Sequence, residues 1–141
     1  MIKKIAFIGH PTTDLAVSRR FYGEVLGLAH AVDYEEHWAE YHTPEGATIA
    51  LDTISPKQVP NPTPYIALET DDIEAEVARL REQGVTVTVD TWTNQFPDGR
   101  PICKMAMIVD PGGNPIMLHE IAAWRAGEAD AGADESDGEP D

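Results

Sequence analysis

His119 and a few acidic residues are the side chains of this sequence that are best suited to chemistry near neutral pH. Imidazole can donate and accept a proton near pH 7, and a neighbouring carboxylate can orient it or share in proton transfer. We therefore predict that His119 acts as an acid–base or ligand-orienting group, with Glu40 or Glu69 as its partner. A histidine that only hydrogen-bonds a backbone carbonyl at the end of a strand is the structural alternative.

The acidic residues also allow a metal site. Carboxylates together with one imidazole suit Mn²⁺, Mg²⁺ or Fe²⁺. The candidate ligands for such a site are Glu40, Asp52, Glu69 and His119. Cys103 is the only cysteine, so no disulfide can form within the chain. The charge of Lys104 beside it favours a thiolate, although a single cysteine in an apolar segment is also typical of a small buried side chain.

Composition excludes several classes of partner. The 141 residues carry 25 acidic side chains against 10 lysines and arginines, a net charge of −15. Such a field repels phosphate backbones and anionic lipid, so we expect neither nucleic acid nor a membrane as partner. No apolar run approaches the roughly 20 residues of a membrane span, and no signal peptide is recognised. A cytoplasmic location is the resulting expectation.

The elements that position these side chains follow a repeated order. In the first half, a short apolar strand at 5–8 precedes a helix that Asp14 caps. The apolar side chains predicted to share one face of that helix are Leu15, Tyr22, Val25 and Leu26. Three strands are then predicted, at about 29–35, 37–43 and 47–54.

The second half repeats this pattern. A strand is predicted at 65–70, Asp72 caps a helix that Gly84 ends, and strands follow at about 85–91, 102–109 and 115–121. Placing Asp14 on Asp72 gives a repeat of roughly 58 residues, which indicates an internal duplication. The predicted organisation is a first module at 1–54, a proline-rich extended linker at 55–64, a second module at 65–121 and an acidic, disordered tail at 122–141.

Two motifs strengthen this interpretation. One is Asp-Leu, Phe-Tyr and Leu-Gly-Leu spread over 14–28, and the other is the turn Asp-Pro-Gly-Gly-Asn at 110–114. With the repeated βαβββ order they resemble the vicinal oxygen chelate superfamily, which includes glyoxalase I, extradiol dioxygenases and bleomycin-resistance proteins. The resemblance covers about 2–121 and implies an α+β fold, with two βαβββ modules forming curved mixed sheets around a cleft. Because related proteins often dimerise, it also implies a possible homodimer.

The resemblance further identifies where metal ligands would lie. Enzymes of the superfamily place them on the first and fourth strands of each module, and the corresponding positions here are Phe7, Ala50, Tyr65 and Met117. Divalent transition metals prefer imidazole, carboxylate or thiolate. We therefore predict no metal at these positions and no cofactor, with a divalent metal held by the displaced acidic set as the alternative.

A small-molecule site is the remaining prediction. Strand alternation places further aromatic and polar side chains beside the four positions. Trp92 is predicted in a loop at 91–96, where it either closes over a bound aromatic or is an exposed turn residue. The predicted ligand-binding residues are Phe7, Trp38, Ala50, Asp52, Tyr65, Trp92, Met117 and His119. An apolar, aromatic lining with few polar groups is typical of small-molecule sites.

Three functional hypotheses follow from the sequence. The first is a metal-independent, bleomycin-resistance-like protein that binds a small, partly apolar or aromatic molecule. The second is a metal-free lyase or isomerase that uses His119 with Glu40 or Glu69. The third is a glyoxalase-like or dioxygenase-like enzyme with a displaced metal site. The sequence does not identify the ligand.

Overall fold

The computed structural model describes residues 1–34 and 36–125, and it confirms the predicted α+β class. The strands are β1 (Ile2–Pro11), β2 (Ala29–Tyr34), β3 (Trp38–His42), β4 (Thr48–Asp52), β5 (Tyr65–Thr70), β6 (Thr86–Gln95), β7 (Pro101–Val109) and β8 (Pro115–Ile121). The two α-helices are α1 (Leu15–Arg19) and α2 (Ile73–Glu82). A π-helix (Arg20–Val25) continues α1, and a 3₁₀ turn (Ser55–Lys57) follows β4. Most of the predicted tail at 122–141 lies outside the described residues.

The chain divides into two compact units. Among the described residues, one comprises 7–64 and the other comprises 1–6 with 65–125. In the first unit the strand order is β2-β3-β4-β1, in which β1 runs parallel to β4 and the other pairs are antiparallel. One face of this sheet packs against α1 through a core of Leu15, Ala39, Tyr41 and Leu51.

The helix of the first unit departs from the predicted periodicity. Leu15 is buried and Tyr22 packs against the core, as expected, but Val25 and Leu26 are more than half exposed. The cause is the π-helix at Arg20–Val25, in which the Leu26 N–H donates to the Phe21 carbonyl five residues back. A wider turn rotates the following side chains off the face predicted for a 3.6-residue period.

The second unit has the same arrangement. Its strand order is β5-β8-β7-β6, with β5 parallel to β8. Helix α2 begins where the Asp72 carboxylate accepts a hydrogen bond from the Ala75 N–H, and the chain leaves it through Gly84 at a φ of 86°. Ile73 and Val77 of α2 pack on Ala106, Ile108 and Leu118 of the sheet.

Strand register supports the duplication. Gly9 pairs with Ala50 between β1 and β4, and Ala67 pairs with Met117 between β5 and β8. A shift of 58 residues carries Gly9 onto Ala67, the same spacing that relates Asp14 to Asp72. The two modules therefore present equivalent positions on their paired parallel strands.

Two local predictions were wrong. Trp92 does not lie in a loop, because β6 continues to Gln95 and Trp92 pairs with Met105 of β7. The chain after β4 is not wholly extended, because Ser55–Lys57 forms a 3₁₀ turn with Pro56 in its first turn, where a missing N–H costs no helical bond. Among the described residues, no helix is long and apolar enough to cross a membrane.

Candidate functional site

The sheet of the second unit has two chemically different faces. Leu118 and Ala106 point to α2, and strand alternation directs their neighbours to the opposite face. The residues on that opposite face are Tyr65, Ala67, Glu69, Cys103, Met105, Met107, Met117 and His119, all of them buried. It is therefore an apolar, sulfur-rich face with one ionisable cluster.

Glu69 and His119 form the centre of that cluster. They are partners in the parallel register of β5 and β8, and Glu69 Oε1 lies 2.6 Å from His119 Nδ1. The second carboxylate oxygen accepts a hydrogen bond from the Ile121 N–H at 2.9 Å. The neighbouring Glu120 points the other way, where its carboxylate accepts from the Ile73 N–H at the start of α2. Glu69 thus holds both the ring and the strand that carries it.

The charge state of His119 follows from these contacts. Burial disfavours the charged imidazole, but the Cys103 sulfur and the Glu69 carboxylate outweigh this effect and raise the pKa of His119 to about 10. His119 is therefore an imidazolium at neutral pH. In this state the ring nitrogens can donate hydrogen bonds.

Cys103 extends the cluster along β7. It is buried, it interacts with the His119 ring, and its sulfur lies 3.5 Å from Asn94 Nδ2. The same amide group lies 3.3 Å from the Met105 sulfur, and the Trp92 indole N–H donates to Asn94 Oδ1. A continuous polar chain therefore runs from Trp92 to Glu69 across four strands.

In the first unit, the predicted residues form an aromatic cluster. The rings of Phe7 and Trp38 meet edge to face at 5.3 Å, and both side chains are buried. The Trp38 indole N–H donates to Glu40 Oε2 at 2.8 Å, so this carboxylate has a local partner. Ala50 is fully buried on β4 beside Glu40 of β3. Glu40 thus accompanies Trp38 within the first unit.

Asp52 has a local structural role. It ends β4 fully buried, and one carboxylate oxygen accepts hydrogen bonds from the Ile54 N–H at 2.7 Å and the Ser55 N–H at 2.9 Å. The other oxygen accepts from the Ser55 hydroxyl. These bonds close the 3₁₀ turn in the manner of an Asx turn. Sequence reasoning did not reveal this turn.

The donor chemistry of the superfamily's metal positions does not fit a divalent ion. Phe7 and Ala50 in the first unit have no donor atom, and Tyr65 and Met117 in the second offer only a phenol and a thioether. Among the described residues, Asp72, Glu74 and Glu120 are the one group of three whose ligand atoms lie within 4.8 Å of one another. These acids hold the start of α2 and pair with Lys104.

A cavity of about 140 Å³ lies on the helix side of the first unit. Polar side chains from β1 and α1 meet there, with His10 Nδ1 2.6 Å from the Tyr22 hydroxyl and Thr12 Oγ1 2.8 Å from Ser18 Oγ. Pro62 and Pro64 complete its wall. None of the predicted site residues lines this cavity.

Sequence reasoning did not place Asn94 or Met105 in the site. Asn94 falls in the predicted loop at 91–96, and Met105 is an apolar residue without a chemical signal. The only sequence signal was the apolar alternation of β7, which places Cys103, Met105 and Met107 on one face. The pairing of β7 with β8, which brings that face to His119, depends on long-range register.

Comparisons with known proteins agree with this architecture. The family model of the Glyoxalase/Bleomycin resistance protein/Dioxygenase superfamily matches residues 4–118. No curated protein matches the sequence at a significant level. A superfamily member from Vibrio splendidus 12B01 is similar in structure, with a TM-score of 0.59, 16% identity and coverage of 86% of this chain and 100% of that one.

Two solved enzymes have a similar fold. Methylmalonyl-CoA epimerase from Mycobacterium tuberculosis has a TM-score of 0.60 and 24% identity over 89% of this chain and 93% of its own. The Mn(II)-bound glyoxalase from Novosphingobium aromaticivorans has a TM-score of 0.52 and 17% identity over 87% of this chain and 43% of its own. At these identities the similarity concerns the fold alone.

Proposed function

The chain belongs to the glyoxalase/bleomycin resistance protein/dioxygenase superfamily, and from this premise we propose that it binds a small, partly apolar or aromatic molecule without a metal ion. The observation that carries the proposal is the chemistry of the four positions at which the superfamily's enzymes hold metal. Phe7 and Ala50 in one unit, and Tyr65 and Met117 in the other, are buried side chains without a carboxylate or an imidazole.

The second unit supplies the chemistry for recognition. Tyr65, Met105 and Met117 contribute aromatic and polarisable side chains to this buried face, and thioethers adapt their shape to apolar ligands. The Glu69–His119 pair adds a fixed polar group to this face. A ligand that combines an apolar or aromatic body with one hydrogen-bonding group matches this lining.

The first unit supports the same class of ligand. Phe7 and Trp38 form an edge-to-face aromatic pair beside the fully buried Ala50. Glu40 holds the Trp38 indole in place. Aromatic rings fixed in this way provide a large contact area at a small entropic cost.

A metal-free lyase or isomerase is the second candidate, and the Glu69–His119 pair favours it. An imidazolium held by a buried carboxylate can donate a hydrogen bond to an oxygen on which negative charge develops. In this role His119 stabilises negative charge that develops on a substrate oxygen. Glu69 serves as the positioning residue for the ring.

Two tests, one of metal content and one of ligand binding, separate these functions. Elemental analysis of purified protein and thermal shifts with Mn²⁺, Fe²⁺, Ni²⁺ and Zn²⁺ test the metal. Thermal shifts with a panel of metabolites and antibiotics test binding, because a ligand of the native state raises the apparent stability. We expect no shift with the metals and a shift with an aromatic or apolar ligand that is recovered unchanged. Chemical conversion of that ligand would favour the enzyme, and a bound stoichiometric metal would contradict the proposal.

A further inference from the structure

The cavity of about 140 Å³ in the first unit lies on the opposite side of the sheet from the aromatic cluster of that unit. Leu51 of β4 lines the cavity and also belongs to the core beneath α1. Strand alternation directs its neighbour Ala50, one of the predicted ligand-binding residues, to the other face of the sheet. The cavity is therefore separate from the predicted site, and its own lining decides what it can hold.

The duplicated module shows that the fold does not require polar groups at this place. A shift of 58 residues carries His10 and Tyr22 onto Leu68 and Leu80, and both leucines pack against the apolar core of the second unit. At the corresponding positions the first module has an imidazole and a phenol, with His10 Nδ1 2.6 Å from the Tyr22 hydroxyl oxygen. Polar groups that the fold does not need indicate a functional site.

The His10–Tyr22 pair keeps hydrogen-bonding capacity for a ligand. The contact between the two side chains uses one ring nitrogen and one proton. If the phenol donates, the Nε2–H of the neutral imidazole remains as a donor, and if Nδ1 donates, the phenol proton remains. Within the described part of the chain, no further hydrogen bond involves either side chain. Each tautomer therefore leaves one donor at the cavity.

Ser18 supplies a complementary acceptor. Its hydroxyl oxygen lies 2.8 Å from Thr12 Oγ1, which also accepts a hydrogen bond from the Asp14 N–H at 3.1 Å. A hydroxyl has one proton and two lone pairs, so Ser18 Oγ keeps at least one lone pair whichever of the two hydroxyls donates. At the corresponding position of the second unit, the buried Glu76 carboxylate pairs with Arg79 at 2.6 Å. The first module thus leaves an acceptor where the second module has an ion pair.

The lining of the cavity suits a small uncharged ligand. Among the described residues that line it there is no Asp, Glu, Lys or Arg, and Pro62 and Pro64 supply apolar surface beside the polar groups. A cavity of about 150 Å³ accommodates benzene, so the size fits a single ring. A hydroxyl group donates one hydrogen bond and also accepts, which matches the available donor and acceptor.

We propose that this cavity is a second binding site, which takes a small uncharged hydroxyl compound of the size of phenol. The ligand hydroxyl accepts a hydrogen bond from the His10–Tyr22 pair and donates one to Ser18 Oγ, while the ring lies against Pro62 and Pro64. Because phenol is small and the polar lining is only half-buried, its dissociation constant is expected to be on the order of 1 mM.

Amide chemical shifts of the full chain, measured by heteronuclear NMR, locate the site. Phenol added to about 20 mM is expected to shift the amides of Thr12 and Ser18 with one saturable dissociation constant. Toluene has the same number of non-hydrogen atoms but no hydroxyl, so it is expected to bind at least about fivefold more weakly. The absence of a saturable shift, or shifts confined to the amides of Met105 and His119, overturns the proposal.

Substitutions at Ser18 test the occupant of the cavity. Ser18→Leu fills the cavity and is expected to abolish phenol binding, with thermal unfolding checked. Ser18→Ala keeps the space and removes the acceptor, so the preference for phenol over toluene should fall to about twofold or less. Val17→Leu makes the matched change at the neighbouring exposed position and should bind phenol like the wild type. Normal phenol binding in Ser18→Leu, or an unchanged preference in Ser18→Ala, overturns the proposal.

Discussion

Glu69 and His119 are opposite each other in the register of the parallel strands β5 and β8, and their side chains meet at 2.6 Å in the buried face of the second unit. The pair joins β5, the first strand of the second module, to β8, its last strand. It is also the most polar feature of a face otherwise made of apolar and sulfur-containing side chains. Stability and binding are therefore both expected to respond to it.

The charge of His119 predicts how stability depends on pH. Its pKa rises from 6.5 to about 10 on folding, so between these values the native state holds more protons than the unfolded state. The stabilisation is complete below about pH 6.5 and is lost as the pH rises toward 10. Urea unfolding of the wild type should show stability falling by at most about 1.4 kcal/mol per pH unit in this window.

The variant His119→Gln provides the control for this pH dependence. Glutamine keeps a side-chain donor to Glu69 but cannot titrate, so the slope attributed to His119 should disappear. Because Cys103 also raises the pKa of His119, Cys103→Ala should lower that pKa, so that the loss of stability ends at a lower pH and is smaller in total. An unchanged slope in His119→Gln would contradict the assignment.

Removal of the Glu69 carboxylate should be costly. In Glu69→Ala the buried imidazolium loses its partner and the Ile121 N–H loses its acceptor. Loss of one member of a buried ion pair costs about 3 to 5 kcal/mol, which urea unfolding at pH 6 would measure. Glu69→Gln keeps an acceptor oxygen and should cost less. A loss below about 1 kcal/mol in Glu69→Ala would show that the pair contributes little to folding.

Asp52 is expected to affect stability and not recognition. Its carboxylate accepts hydrogen bonds from two backbone N–H groups and from the Ser55 hydroxyl, so Asp52→Ala should destabilise the protein by about 2 to 3 kcal/mol. Ligand affinity, measured by calorimetry below the unfolding temperature, should change less than threefold. Asp52→Asn, which retains one acceptor, is the milder control. A tenfold loss of affinity in Asp52→Ala would indicate that Asp52 contributes to ligand binding.

Much of the fold could be predicted because its signals are local. The capping residue Asp72, the strand at Tyr65–Thr70 and the strand at Pro115–Ile121 lie where the pattern of caps and apolar residues predicts them. The π-helix at Arg20–Val25 was not predicted, since one wider turn leaves no distinctive residue in the sequence. The end of β6 was missed because Asn94 and Gln95 are typical loop residues, and pairing with β7 overrides that tendency.

The site could be predicted only in part. Strand alternation indicated that Glu69 and His119 share a face, which the structure shows by a direct contact. Alternation does not fix which residues of different strands are opposite each other. The sequence therefore could not decide whether Glu40 or Glu69 is the partner of His119, and it could not show that Cys103 contacts the ring. The role of Asp52 depended on a turn in which its own side chain supplies the acceptors.

Metal-independent binding is tested most directly by titrating the ligand recovered from the thermal-shift panel into protein treated with EDTA and dialysed. Isothermal titration calorimetry should give the same dissociation constant, within about twofold, for this metal-free protein and for protein supplied with Mn²⁺ or Zn²⁺. Binding that is lost on chelation and returns with the metal would contradict the account.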